Sequence, residues 1–156
     1  FGILIYFWVA KLILGTEMKN ILVLCTGNSC RSQIAHGYLD QILINKAKIY
    51  SAGIETHGLN PYAVKIMKMD GVNIDNHTSN LVDEYLEIDF DFIITVCDHA
   101  NETCPYIPSK NAIRIHQNFE DPSKLNILQE DEKIQKYIHC RDKIKDYCKT
   151  FKLKYF

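Results

Sequence analysis

Ile21-Leu22-Val23-Leu24-Cys25-Thr26-Gly27-Asn28-Ser29-Cys30-Arg31-Ser32 is the stretch that decides the fold. Four consecutive apolar residues suit a parallel strand buried on both faces. Beyond the loop, Ile34, Tyr38 and Ile42 recur at four-residue spacing beside Ala35, Leu39 and Leu43, which predicts a helix of about three turns. Between strand and helix stands a loop of small and polar residues with a Cys at its start and an Arg six positions later. Such a loop makes an anion cradle. Its backbone N–H groups can turn inward, the helix adds its positive end, and the Arg31 guanidinium can clamp two oxygens as a planar fork. The same field stabilises a Cys25 thiolate, and the Ser32 hydroxyl can donate to it.

Working outward, Ile49 to Ala52 reads as a second strand ended by Gly53. Asn60-Pro61 is a helix cap with Pro at the first helical position, and the helix through Ala63, Val64 and Met67 stops at Gly71. Phe90 to Cys97 is the clearest later strand, and Ala112 to His116 is a shorter one. Ile134, Ile138, Ile144 and Cys148 mark a long C-terminal helix. Strands alternating with helices predict an α/β fold: a single domain with a parallel sheet of about four strands and helices on both faces. Ligands bind at the carboxyl ends of such strands. Cys25 and Cys97 each end a predicted strand, so the fold can bring both to one edge.

Composition narrows the function. Hydrophobic residues make up 47% and charged residues 24% of the 156, as in a soluble globular domain. The net charge of −1 offers no global basic field for nucleic acid or an anionic membrane. Three basic residues are Arg (Arg31, Arg114 and Arg141), so each invites a question. Six Cys are few for a disulfide scaffold of this size and fit reduced thiols in a cytoplasmic enzyme. Phe1 to Gly15 is strongly apolar but shorter than the roughly twenty residues a membrane helix needs, and it lacks the pattern of a signal peptide. Residues 1–17 therefore read as an apolar extension ahead of a natural start at Met18, and residues 18–156 as the domain.

Cys97 and Cys104 are spaced Cys-x6-Cys, with Asp98, His99, Asn101 and Glu102 between them. A zinc half-site would be more tightly spaced and would need a second pair. Core thiols would be inert. The intervening residues are polar and loop-like, which predicts exposure, and a thiol pair on a mobile loop beside an oxyanion pocket suits a redox relay. Asp121-Pro122 reads as a simple turn. Cys30 reads as a support for the loop, and Cys140 and Cys148 as packing residues. His36 reads as a surface or capping group, and no metal site is expected.

Cys25 to Gln33 resembles the phosphate-binding loop of the low-molecular-weight protein tyrosine phosphatase fold. Ser51-Ala52-Gly53, His57-Gly58-Leu59-Asn60-Pro61, Cys97 through Cys104-Pro105, and Phe119-Glu120-Asp121-Pro122 carry the likeness through nearly all of the chain after Lys19. Within that fold the chain resembles the thioredoxin-coupled arsenate reductases. The resemblance implies that Thr26, Gly27, Asn28, Ser29, Cys30, Arg31 and Ser32 bind the oxyanion. It further implies that Cys25 is the nucleophile, that Asp121 is the general acid, and that Cys97 and Cys104 shuttle a disulfide to thioredoxin. Related enzymes use glutaredoxin and glutathione instead. Phosphate and sulfate are the expected competing anions, and a monomer is expected. Some of these reductases hold potassium beside the loop. His36 and Asn80 here replace two expected carboxylates of that site, while Asn28 and Ser51 remain.

The competing reading is phosphotyrosine hydrolysis through a Cys25 phosphocysteine. Phosphatases of this fold often follow the Arg-Ser with Pro and set aromatic residues near the Asp-Pro. This chain has Gln33 after Arg31-Ser32 and no Tyr after Asp121-Pro122. A third reading, an anion-binding module that is never turned over, leaves the Cys97 and Cys104 pair without purpose.

Overall fold

The computed structural model of the protein describes Gly2, Ile3, Ile5, residues 17–124 and residues 129–156. Most of the apolar segment ahead of Met18 lies outside the described residues, and with it the expectation for that segment.

Four strands form one parallel sheet in the order β2-β1-β3-β4. They are β1 (Lys19–Cys25), β2 (Ala47–Gly53), β3 (Phe92–Thr95) and β4 (Ile113–His116). Among the residues described from Glu17 onward, the helices that accompany them are α1 (Arg31–Ile42), α2 (Pro61–Met69), α3 (Asp98–Thr103) and α4 (Glu130–Tyr155). The apolar run ending in Cys25 is the inner strand, and its alternate side chains serve two cores. Ile21, Val23 and Cys25 join residues of α1, α2 and α4 in the larger one. Leu22 and Leu24 face the opposite way, against Ala52, Val82, Phe90, Ile93 and Ile107. That second face is covered by the 3-10 turn Val82–Tyr85 and the chain around it.

Local sequence explains most boundaries. The Asn60 side chain accepts from the N–H groups of Tyr62 (2.8 Å) and Ala63 (3.3 Å), with Pro61 at the first helical position. Gly71, at φ +78, turns the chain left-handed just after α2, a conformation that costs Gly no Cβ clash. Two predicted spans need correction. β3 covers Phe92–Thr95 rather than Phe90 to Cys97, because Phe90 and Cys97 leave the ladder for the two cores. The stretch after Cys97, predicted as a loop, is helix α3. Six residues containing one apolar side chain, Ala100, carry no helical periodicity to read.

Register then builds the site. Cys25 lies opposite Gly53 on β2, and Leu24 lies opposite Thr95 at the end of β3. The carboxyl ends of the three neighbouring strands therefore stop level, and the Cys25 loop rises from the middle one.

Candidate active site

The loop from Cys25 to Arg31 closes on itself around Asn28. Asn28 is fully buried at φ 46, a left-handed conformation that Asn tolerates better than most residues. Its Nδ2 donates to Ser32 Oγ (2.9 Å), and its Oδ1 accepts from the Asn80 N–H (2.8 Å). Its carbonyl accepts from Gln33 Nε2 (3.0 Å). Close approach of β2 is permitted by Gly53, where a Cβ would stand 2.7 Å from the Thr26 carbonyl oxygen and 2.8 Å from the Asn28 nitrogen. Among the described residues, no protein group accepts from the backbone N–H groups of Gly27 to Arg31. Five free donors on a loop ahead of a helix are what an oxyanion would satisfy.

The nucleophile is oriented by the same network. Ser32 Oγ lies 2.9 Å from Cys25 Sγ. Because that hydroxyl oxygen already accepts from Asn28, its own hydrogen is free to point at the sulfur. Arg31 Nη1 donates to the Phe119 carbonyl (2.8 Å), and Nη2 lies 3.5 Å from Asp121 Oδ2. The other two Arg are structural: Arg114 donates to the Ile107 carbonyl and Arg141 to the Ile66 carbonyl.

A cavity of about 650 Å³ opens over the loop. The predicted nucleophile Cys25 lines it, and so do Thr26, Gly27, Ser29, Cys30 and Arg31 of the residues predicted to bind the oxyanion. Asn28 and Ser32 do not; both are fully buried and hold the loop from behind. Cys97 and Asp121 line the same cavity, so four separate segments of sequence meet there with the thiols of Cys25 and Cys97. Cys97 Sγ is 3.4 Å from Thr26 Oγ1. His57, Asn60, His99 and Lys124 also line it, and the sequence assigned none of them a role at the site.

The exposure predicted between Cys97 and Cys104 holds for Asp98, His99, Asn101 and Glu102 but not for Cys97 itself. Cys97 is only 3% exposed and belongs to the larger core, whereas Cys104, at the far end of α3, packs against the other core across the sheet. Burial raises the Cys104 pKa above that of a free thiol, with Arg114 opposing. Burial also pushes Cys140 up to about 11 and holds Cys30 and Cys148 protonated, so these three are packing thiols. Burial raises the Asp121 pKa as well, but the hydrogen bonds from the Ser123 hydroxyl and N–H, with Arg31 and Lys124, outweigh it. Its carboxyl is held below the usual range and is ionised at neutral pH in the absence of a bound anion.

The positions expected around potassium come together but do not fit it. Ser51 Oγ is bonded to His36 Nδ1 (2.8 Å), Asn28 Oδ1 is taken by the Asn80 N–H, and Asn80 Nδ2 turns to Glu84 (2.8 Å). The carboxylates nearest these positions are already engaged, Glu84 by Asn80 and the Leu81 N–H, and Asp40 by His36. His36 is neither a bare surface residue nor a cap: its Nε2 lies 3.4 Å from Asp40, and its ring lies against that of His77.

The family model for low molecular weight phosphotyrosine protein phosphatase matches residues 20–154. The chain belongs to that family. Its relatives within the family include arsenate reductase 1 of Staphylococcus epidermidis, 42% identical over 86% of this chain and 96% of the relative. The arsenate reductase of Halalkalibacterium halodurans is 46% identical over 85% of this chain and 94% of its own. A solved arsenate reductase in its phosphate-binding state superposes with a TM-score of 0.70 at 24% identity, covering 88% of this chain and 98% of that one. This confirms the low-molecular-weight phosphatase-like fold expected from the loop.

Proposed function

We propose that this protein reduces arsenate to arsenite by a relay through Cys25, Cys97 and Cys104, with thioredoxin as the external reductant. The observation that carries the reading is the meeting of two thiols, Cys25 and Cys97, in one anion cavity with Arg31 and Asp121. A phosphatase of this fold needs the first thiol, the Arg and the Asp, and has no use for the second thiol. The arsenate reductases that the chain matches at 42% and 46% identity support the same choice.

Arsenate docks on the N–H groups of Gly27 to Arg31. Its charge draws the Arg31 fork off Asp121, and a dianion beside that carboxyl raises its affinity for a proton. The Cys25 thiolate attacks arsenic, an As–O bond breaks, and Asp121 gives the departing oxygen its proton so that water leaves. The Cys97 thiolate then attacks Cys25 Sγ. The S–As bond breaks toward arsenic, which takes the electron pair and leaves as arsenite, and a Cys25–Cys97 disulfide remains. Next, the Cys104 thiolate attacks Cys97 Sγ and releases the Cys25 thiolate. The Cys97–Cys104 disulfide is reduced by two electrons from the dithiol of thioredoxin, with glutaredoxin as the alternative reductant.

The last transfer requires movement. Cys104 stands seven positions after Cys97, a span of about 10 Å along a helix, whereas a disulfide holds its Cα atoms within about 7 Å. Helix α3 must therefore open, which also lifts the disulfide out of the buried position of Cys97. A thiol relay of this kind belongs in a reducing compartment, the cytoplasm, and no described helix is long and apolar enough to cross a membrane. Nothing in the relay needs a second subunit, and we assign a monomer. Phosphate and sulfate compete for the same donors.

The test is arsenate-dependent NADPH oxidation with thioredoxin and thioredoxin reductase. Wild type is expected to turn over repeatedly, and Cys104→Ser to stop after a single round with Cys25 joined to Cys97. Absence of arsenate-dependent oxidation with either thioredoxin or glutaredoxin would overturn the reading.

A further inference from the structure

We propose that His36, Asp40 and His77 form a binding site for a divalent transition cation, of the chemistry of Zn²⁺ or Co²⁺, on the side of the anion loop away from the active-site cavity. One ligand atom from each residue lies within 4.8 Å of the others. His36 and Asp40 stand one turn apart on α1, and His77 reaches across from the turn that follows Ile74. His36 Nε2 and Asp40 Oδ2 are 3.4 Å apart, the edge of a tetrahedron with metal–ligand bonds of about 2.1 Å. The two imidazole rings lie with centroids 4.4 Å apart and planes 34° apart, so His77 closes on the cation by a small ring movement.

The hydrogen bonds behind the rings set which nitrogens are free. Gln33 Nε2 spends both hydrogens on carbonyls, those of Asn28 (3.0 Å) and Thr78 (3.0 Å), which fixes Gln33 Oε1 toward His77. That oxygen only accepts, so His77 Nδ1 (3.0 Å away) must be the protonated nitrogen and Nε2 keeps its lone pair. On the other ring, His36 Nδ1 is held by Ser51 Oγ at 2.8 Å, and Nε2 faces Asp40. A metal-binding His is ordinarily oriented by a hydrogen bond at its far nitrogen, and here both are. Two imidazoles and one carboxylate select a borderline cation over an alkali ion. Asp40 is exposed, and a shallow depression of about 370 Å³ along Gly71 to Asn73 leads to it and to His77, leaving room for water at the open coordination positions. Through Gln33, the same site is tied to the Asn28 carbonyl at the back of the anion loop. The bland alternative is an i,i+4 ion pair with a ring stacked on it and no metal affinity.

The inference does not rest on arsenate reduction, and its test reads metal binding alone. Reduced full-length protein is titrated with Co²⁺ by visible absorption and with Zn²⁺ by competition against a chromogenic chelator. One equivalent is expected to bind with weak d–d bands and without thiolate-to-cobalt charge transfer. The His Nε2 signals of His36 and His77 should shift together in ¹⁵N spectra on adding Zn²⁺. His77→Gln and the exposed-site change Asp40→Asn should each weaken binding at least about tenfold while the circular dichroism is unchanged. Undiminished affinity in the double variant His36→Gln, His77→Gln, or charge transfer showing that the thiols are the ligands, would overturn the assignment. So would no binding at millimolar Co²⁺.

Discussion

Ser32 shows how one hydroxyl sets the chemistry of the pocket. Its oxygen accepts from Asn28, which leaves its hydrogen free to donate to Cys25 Sγ 2.9 Å away. A hydrogen bond to a charged partner is worth about 1.5–3 kcal/mol. Ser32→Ala should therefore slow alkylation of Cys25 by iodoacetamide at pH 7 by at least about tenfold, with little change in fold; an unchanged rate would mean the hydroxyl plays no part. The role of Ser32 was readable from its place just beyond Arg31. The role of Asn28 was not, because its left-handed backbone and three hydrogen bonds involve Asn80 and Gln33, which sequence does not place beside it.

At the scale of elements, Asp70 ties three helices together. From the end of α2 it accepts from the Tyr38 hydroxyl of α1 (2.6 Å) and from Lys145 of α4 (2.7 Å). The Lys145 and Tyr38 hydrogen bonds hold its carboxyl below the usual range against the effect of burial. A depressed carboxyl stabilises the fold above the ordinary carboxylate range, and the contribution is lost as pH falls through the depressed value. Asp70→Asn should cost about 1–2 kcal/mol at pH 7 in urea unfolding, a difference that shrinks as pH falls below about 4. Helix α3 carries the second prediction. The amides of Asn101 and Cys104 bond to the carbonyls of Cys97 and Ala100. Oxidation after one turnover should abolish their hydrogen-exchange protection in wild type and leave it intact in Cys104→Ser. Equal protection in oxidised and reduced wild type would show that the disulfide forms without unwinding.

For the whole molecule, an anion that binds only the folded cradle must stabilise the chain. Sulfate at 100 times its dissociation constant contributes about 2.7 kcal/mol, a rise in Tm of several degrees for a domain of this size. Arg31→Ala should lose most of that rise in a thermal scan. The sequence alone determined the parallel sheet, the Cys25 loop and the helix that follows it, because a buried strand, a small-residue turn and a 3.6-residue apolar period are all written in neighbouring residues. It also determined the cap at Asn60, whose bonds run to residues two and three positions on. Only the tertiary structure decided that Cys97 is buried beside Thr26 while Cys104 packs across the sheet, since a six-residue helix with a single apolar side chain carries no period to read. It alone brought Asp121 to Arg31, and His77 to His36 and Asp40. Those pairings cross tens of residues of chain, and they are set by strand register and helix packing rather than by any local pattern.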